Sequence, residues 1–481
     1  MSWRDRLGQA LRPVQMERVA LVAPAPRTRG ALLRVGTAGM VELDLPATSG
    51  PAAPELPGEA GADAAVQAEL ERVAAAAQTR GPVSALVGWM PAPWLPVLRT
   101  RLGEVGGAVV PLQRPRGVQP PTLLARRGAG GPFEPLVETY ATVPYADVDP
   151  SLLAGIAYLV MFGMMFGDAG HGAILLLAAL LLWAGRIRRF AGLRRGWPFL
   201  AGAGLASIAF GLLYGEAFGP TGMVPRLWLS PLDQPVPLLL AAIGLGAVLL
   251  AGAYAVGTVN RLREGGWSYA LYARSGIAGA VLFAALGLIG AGLYWGVSVV
   301  TVGGAALGVA GLVLSFIGLL VAAGPGPAGV VQAGVEVFDL VIRLGANVVS
   351  FARLAAFGLT HAALGALVWV GTAALWARGG WLALLAIPLF LIGNLVAFGL
   401  EALVAGVQAL RLEYYELFSR VFETEGRPFR PWRLPLDIEA ETPEQGAETP
   451  DPGTETSGQE AETSEQKSEQ EVVASNQEAV A

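Results

Sequence analysis

The sequence contains no cysteine, which excludes disulfides, thiolate metal centres and thiol nucleophiles. Lysine is nearly absent too: Lys467 is the only one among 33 basic residues, and the rest are arginine. A GxxxxGK[ST] phosphate loop therefore cannot form, and ATP hydrolysis by that machinery is ruled out. Histidine occurs only twice, as His171 and His361, which disfavours a zinc site built on imidazole. No metal, cofactor or nucleic-acid partner is expected. Charged residues make up 15% of the chain against 53% hydrophobic ones.

What remains is a lipid-soluble composition. Mean hydropathy is +0.52, and several apolar runs exceed the ~20 residues that a helix needs to cross a bilayer. The fold class expected is an α-helical polytopic membrane protein. The net charge of -5 is unevenly placed: from Asp437 onward there are thirteen acidic residues and one lysine, leaving a basic body and an acidic tail. The opening "MSWRDRLGQALRPVQMERV" has no apolar core of a secretory signal, so this segment is expected to stay in the cytoplasm.

Residues 1–145 read as a small cytoplasmic α+β lobe. "ERVALVA", "VSALVGW" and "GAVVPL" alternate like strands, "WLPVLRTRLGEV" reads as an amphipathic helix, and a Pro/Gly/Ala linker with one short helix separates the halves. Residues 146–328 carry the first six expected crossings, 329–434 the last two, and 435–481 form a low-complexity acidic tail that cannot bury a core. The apolar runs are 151–184, 197–219, 236–260, 269–295, 297–323, 329–377 and 381–422.

Arginine-rich short loops stay inside, and "GRIRRFAGLRRG" and "NRLREGG" are such loops. An inside N-terminus then requires an even number of crossings before Gly185. The reading that satisfies this parity folds 151–184 into two shorter helices at "FGDAGHG", giving about eight crossings with both termini cytoplasmic; a single tilted helix with the N-terminus outside is the alternative.

The two longest runs carry polar groups in mid-course. Asp339, Arg343, Asn347, Ser350, Arg353 and His361 lie on the first, and Asn394, Glu401, Gln408, Arg411, Glu413 and Glu416 on the second. A charge at mid-bilayer costs roughly 3 kcal/mol, so two arginines there call for an explanation. One is buried ion pairing of Arg353 and Arg411 with Glu401 and Glu413. The other comes from depth: at ~1.5 Å per residue, His361 lies ~12 Å beyond Arg353 and Glu401 ~15 Å beyond Arg411 on the same side, with Asp339 ~21 Å below Arg353. Titratable groups then flank an arginine level. That pattern suits an ion path broken in the middle, because arginine does not deprotonate in proteins. A broken path needs a moving carboxylate from a partner to complete it. Glu216, Asn260 and Asn394 read as hydrogen-bonding groups near the ends of apolar runs.

Four stretches together resemble a known family, the membrane a subunit of V-type rotary ATPases, called subunit I in bacterial and archaeal enzymes. They are "PPTLLARRGAGGPFEPLVETYATVPYADVDP" (120–150), "FGMMFGDAGHG" (162–172), "SFARLAAFGLTHAAL" (350–364) and "GLEALVAGVQALRLEYYELFSRVFETEGRPFRPW" (399–432). The resemblance implies a non-catalytic, ion-translocating stator subunit in the cell membrane. Its partners would be the bilayer, a c-type proteolipid ring, a peripheral stalk and the soluble ATPase sector. It implies that Arg353 faces the ring, with Arg411 and Gln408 beside it, and that His361 and Glu401 form an outer half-channel. Asp168 and Asp339 join the path by the same carry-over, and Asp168 also reads as a turn cap. Glu413, Glu416, His171 and Ser350 are candidate lining residues. The chain departs from the family in lacking the long coiled-coil arm expected before the membrane. A self-contained transporter and a non-conducting scaffold remain the other readings.

Overall fold

The computed structural model describes residues 13–45, 59–115, 117–124, 131–186, 192, 194, 196–273, 275–324, 326–422 and 425–434. The acidic tail expected at 435–481 lies outside them, as does most of the arginine-rich loop 185–196. The described residues divide into two compact units: 18–113 with 431–434, and 114–430 with 13–17.

The smaller unit is a five-stranded sheet packed with helices. Its strands are β1 (Met16–Pro24), β2 (Glu42–Leu43), β3 (Gln78–Arg80), β4 (Val83–Pro91) and β5 (Ala108–Leu112), and its helices are α1 (Thr28–Ala38), α2 (Glu59–Ala75) and α3 (Leu95–Gly103). The strand order is β2-β4-β1-β5, with β3 paired to β4, and β5 runs antiparallel to β1 with Ala20 opposite Val110. Alternation in β1 buries Val19 and Leu21, while Leu98 and Leu102, one turn apart on α3, are fully buried in the same core. Besides the short strands β2 and β3, two helical features were not read from the sequence. Helix α1 is one, and the other is α2, which runs 17 residues where one short helix was expected. The chain also returns to this unit after the last membrane helix: Trp432 N donates to Val41 O at 2.8 Å, and its indole Nε1 donates to Glu69 Oε1 at 2.9 Å.

The larger unit is helical and multi-pass. After α4 (Glu134–Tyr140) come α5 (Ser151–Met165), α6 (Ala169–Trp183), α7 (Trp197–Tyr214), α8 (Pro235–Tyr272), α9 (Ile277–Trp295), α10 (Ser298–Ala323), α11 (Pro327–Ser350), α12 (Ala352–Arg378) and α13 (Gly380–Leu412). Among the described residues, six helical stretches are long and apolar enough to cross a membrane, and α5 and α6 are shorter apolar helices of 15 residues each.

The run 151–184 does divide, and close packing on α7 gives the directions. Along α5, Leu159 meets Gly202 and Gly163 meets Ala206, so the two helices run parallel. Along α6, Gly172 meets Ile208 and Leu176 meets Gly204, so this pair runs antiparallel. The chain therefore reverses at residues 166–168. A Cβ on Gly204 would fall 2.7 Å from Leu176 N, a backbone approach that only glycine permits.

The run 329–377, read from the sequence as one long stretch, is one candidate span, Pro327–Arg378, within which a single residue, Phe351, separates α11 from α12 with its backbone still in the right-handed helical region. The Phe351 side chain is fully buried and packs over Gly246 of α8. The final run also changes character: after α13 the backbone loosens into a π-helical turn, Glu413–Phe418, before a last short helix, Ser419–Val421.

Candidate functional site

The reversal between α5 and α6 exposes backbone groups that lipid could not satisfy. Side chains of α7 cap them. Ser207 Oγ donates to Phe166 O and to Asp168 O, and Tyr214 OH donates to Met164 O at 3.2 Å. Asp168 then fixes the backbone on both sides of the turn. Its Oδ1 accepts from His171 N at 2.9 Å, which caps the start of α6, and from Phe218 N at 2.9 Å, while Oδ2 accepts from Gly219 N at 2.9 Å. Phe218 stands at φ +53, a left-handed conformation that is costly for a side chain beyond glycine. Gly219, at φ +87, packs its backbone on Gly365 of α12. One carboxylate thus ties together the reversal and the segment after α7.

This places His361, one turn before Gly365, beside the reversal. The His171 and His361 ring centroids lie 5.8 Å apart in an edge-to-face arrangement. Phe166 is within 5.7 Å of both rings by centroid, Phe398 lies 5.7 Å from His171, and Phe218 stands edge-on to His171 at 5.4 Å. His361 Nδ1 makes a hydrogen bond with Glu401 Oε2. Both ring nitrogens of His171 are buried and have no hydrogen-bond partner.

The His361–Glu401 contact fits the antiparallel packing of α12 and α13, in which Val368 meets Gly393 and Trp369 meets Phe390. The same register, traced two turns back along α12, brings Arg353 to the level of Gln408 and Arg411. Arg353 is half-buried and Arg411 exposed; among the described residues neither makes a hydrogen bond or ion pair, and the Oε1 of Gln408 is buried without a partner. Buried ion pairing of these arginines with Glu401 and Glu413, one of the readings from sequence, is not what the fold contains. Glu401 is engaged by His361, and Glu413 is buried in the π-helical turn with Oε2 unpartnered.

The remaining candidates sit apart. Asp339 is exposed on α11 and pairs with Arg343 one turn on, Nε to Oδ2 at 2.7 Å. Ser350 ends α11, half-buried. With the Asn347 amide turned so that its nitrogen faces the carboxylate, Glu416 accepts from it at 2.9 Å. Asn260 and Asn394 are satisfied groups: Asn260 accepts from Val148 N at 2.9 Å, and Asn394 donates to Phe390 O at 2.9 Å. Glu216 differs from its reading as a satisfied group, because it is buried at 4% exposure with Oε2 unpartnered. Its position at the end of an apolar run, in "YGEAFG", was the available signal.

Outside the membrane-spanning helices, Asp147 is fully buried against Arg261, Nη2 to Oδ2 at 3.8 Å. Burial, and then the neighbouring Glu264 carboxylate, push Asp147 up to about 8 despite the opposing pull of Arg261 and Arg263. The 3.8 Å contact is too long to offset full desolvation.

Residues 78–221 match the V-type ATPase 116kDa subunit family. The A-type ATP synthase subunit I of Aeropyrum pernix is 28% identical over 62% of this chain and 49% of its own length. The subunit I of Thermococcus kodakarensis is 27% identical over 74% of this chain and 54% of its own, and that of Archaeoglobus fulgidus 27% identical over 72% and 58%. Over these stretches the chain is similar to the V/A-type ATPase subunit I family. It spans about half the length of the curated relatives it matches. Its six apolar helices long enough to cross a membrane, among the described residues, fit a multi-pass membrane protein like these relatives.

Proposed function

We propose that the chain is the ion-conducting stator subunit of a rotary V/A-type ATPase, non-catalytic itself, with two proton half-channels separated by Arg353. The observation that carries this reading is the α12–α13 pair. One level joins His361 to Glu401, and a second level, two turns away, holds two arginines that no acidic residue of the described chain neutralises. A permanent cation in a low-dielectric setting attracts a carboxylate and favours its ionised form. On α13 the exposed apolar residues Leu400, Leu403, Val404 and Val407 lead along one side to Arg411, a face suited to a c-type proteolipid ring carrying that carboxylate.

In this mechanism a proton enters through Glu401 and His361, meets the ring carboxylate near Arg353, and leaves toward the other side along a path that Glu413 and Glu416 line. Arg353 releases each carboxylate as it is neutralised and blocks direct leak. The proposal includes eight crossings, counting α5 and α6 separately, with both termini on the cytoplasmic side of the cell membrane. A peripheral stalk and the soluble ATPase sector complete the partner set.

The decisive experiment is ATP-coupled proton movement in vesicles holding the reconstituted complex. Arg353→Ala and Arg353→Lys should assemble but not couple, because lysine can lose its proton and lacks the planar fork. Coupled pumping retained in Arg353→Ala would reject the assignment.

A further inference from the structure

The fold brings the chain's two histidines to one place, where the His171 ring, its Nδ1 3.8 Å from Asp168 Oδ1, makes no hydrogen bond. His171 is 1% exposed and His361 4%, and Asp168 is fully buried. One ligand atom from each of these three lies within 4.8 Å of the others. The His171 ring has two buried nitrogens and no hydrogen-bond partner, in a cage of phenylalanine rings where an unsatisfied polar group is costly. The Asp168 carboxylate has spent Oδ1 on two backbone N–H groups but Oδ2 on only one, so a lone pair on Oδ2 remains. Glu216 and Glu401 each hold a further buried, unpartnered carboxylate oxygen, and Glu216 O accepts from Ala169 N at the same reversal.

We propose that His171, His361 and Asp168 form a binding site for a borderline divalent cation of the zinc or cobalt(II) class, with Glu216 or Glu401 supplying a fourth ligand. Two imidazoles and two carboxylates make an N2O2 set, which suits these ions and not magnesium or calcium. Metal–ligand bonds of about 2.0–2.1 Å require the donors to draw together by roughly 1 Å from their present spacing. Small ring rotations at His171, which no hydrogen bond restrains, supply part of that. Asp168 and one glutamate neutralise the divalent charge, which lowers the cost of placing it away from water. The site rests on the geometry alone. Its functional consequence rests on the reading above: a cation on His361 removes the imidazole from proton transfer and halts coupled proton movement.

The test uses the full chain in detergent, purified without a polyhistidine tag. With only two histidines, selective 13C-histidine labelling gives two ring resonances, and one equivalent of Zn2+ should shift both. In equilibrium dialysis the wild type should retain one Co2+ per chain more than H171Q/H361Q, with visible absorption of four-coordinate strength. Each single variant should bind at least tenfold more weakly. The proposal is overturned if neither resonance moves, or if wild type and double variant retain equal Co2+. A separate arm adds Zn2+ to vesicles containing the assembled complex, with EDTA to reverse it. Binding with reversible inhibition supports the site and its consequence. Binding without inhibition supports the site and removes His361 from the proton path.

Discussion

Asp168 accepts a hydrogen bond from Gly219 N at 2.9 Å across the gap between the α5–α6 reversal and the segment after α7. Because the same carboxylate also holds Phe218 in a left-handed conformation and caps α6, its loss should be felt well beyond one bond. Asp168→Ala is expected to destabilise the detergent-solubilised chain by about 2–4 kcal/mol, from lost charge-assisted bonds and buried N–H groups left bare. Asp168→Asn keeps one acceptor and should lose less. Thermal unfolding checks the order, and equal midpoints for Ala and wild type would show that the carboxylate holds nothing.

The buried Asp147 should make stability depend on pH in an unusual direction. Its folded value, about 8, lies above the usual carboxyl value. Between those values the folded chain keeps a proton that the unfolded chain gives up. The sign is therefore that stability is greatest below about pH 4 and declines as pH rises toward 8, as far as this group is concerned. Asp147→Asn, which mimics the protonated form, should flatten the decline in thermal midpoint between roughly pH 5 and 8. An unchanged slope would place the titration elsewhere.

Close packing of α6 and α7 gives a steric prediction. Gly204→Val places atoms where Leu176 N already lies, and the helices must part by more than a methyl group's width. Loss of assembled chain, or a fall of several kcal/mol in stability, is expected. Substitution at Gly287, where an added Cβ meets nothing within 4 Å, should be tolerated and serves as the control.

Glu413 separates stability from transport. Its side chain is 1% exposed, with one oxygen unpartnered, so Glu413→Gln removes a buried acid at no cost in volume and should leave the thermal midpoint unchanged or higher. If Glu413 lines the inner path, coupled proton movement should fall several-fold in the same variant. Undiminished pumping would assign it a packing role.

Glu401→Gln and His361→Ala are expected to slow proton movement without abolishing it, since water can stand in for a relay group. Full rates in both would move the outer path away from α12 and α13.

Several of these relationships were legible in the sequence and others were not, for physical reasons. Alternation showed β1 and β4, and loop charge with parity showed the reversal within 151–184, because both signals are local. Depth along two antiparallel helices put His361 and Glu401 at one level, since helix rise is constant. The irregular turn at Phe351 was hidden: "VVSFARLA" contains no proline or glycine, and the irregularity coincides with a contact to Gly246, far away in the chain. Helix α2 was underread because its alanine-rich stretch has little apolar periodicity. Two histidines counted in a sequence argue against a metal site. Only the fold reveals that His361 joins His171 and the Asp168 three residues before it.

The shared register of α12 and α13 has a mechanical corollary. The separation along the helices between the backbone positions of His361 and Glu401 and those of Arg353 and Arg411 is set by backbone pitch on both rods, so no rotamer adjustment can alter it. If one rod slipped past the other by a full turn, ~5.4 Å, both chemistries would fall out of step at once. In the proposed path, proton supply and charge barrier would thus be geared to each other, and a fault in the meshing at either end would be transmitted to the other.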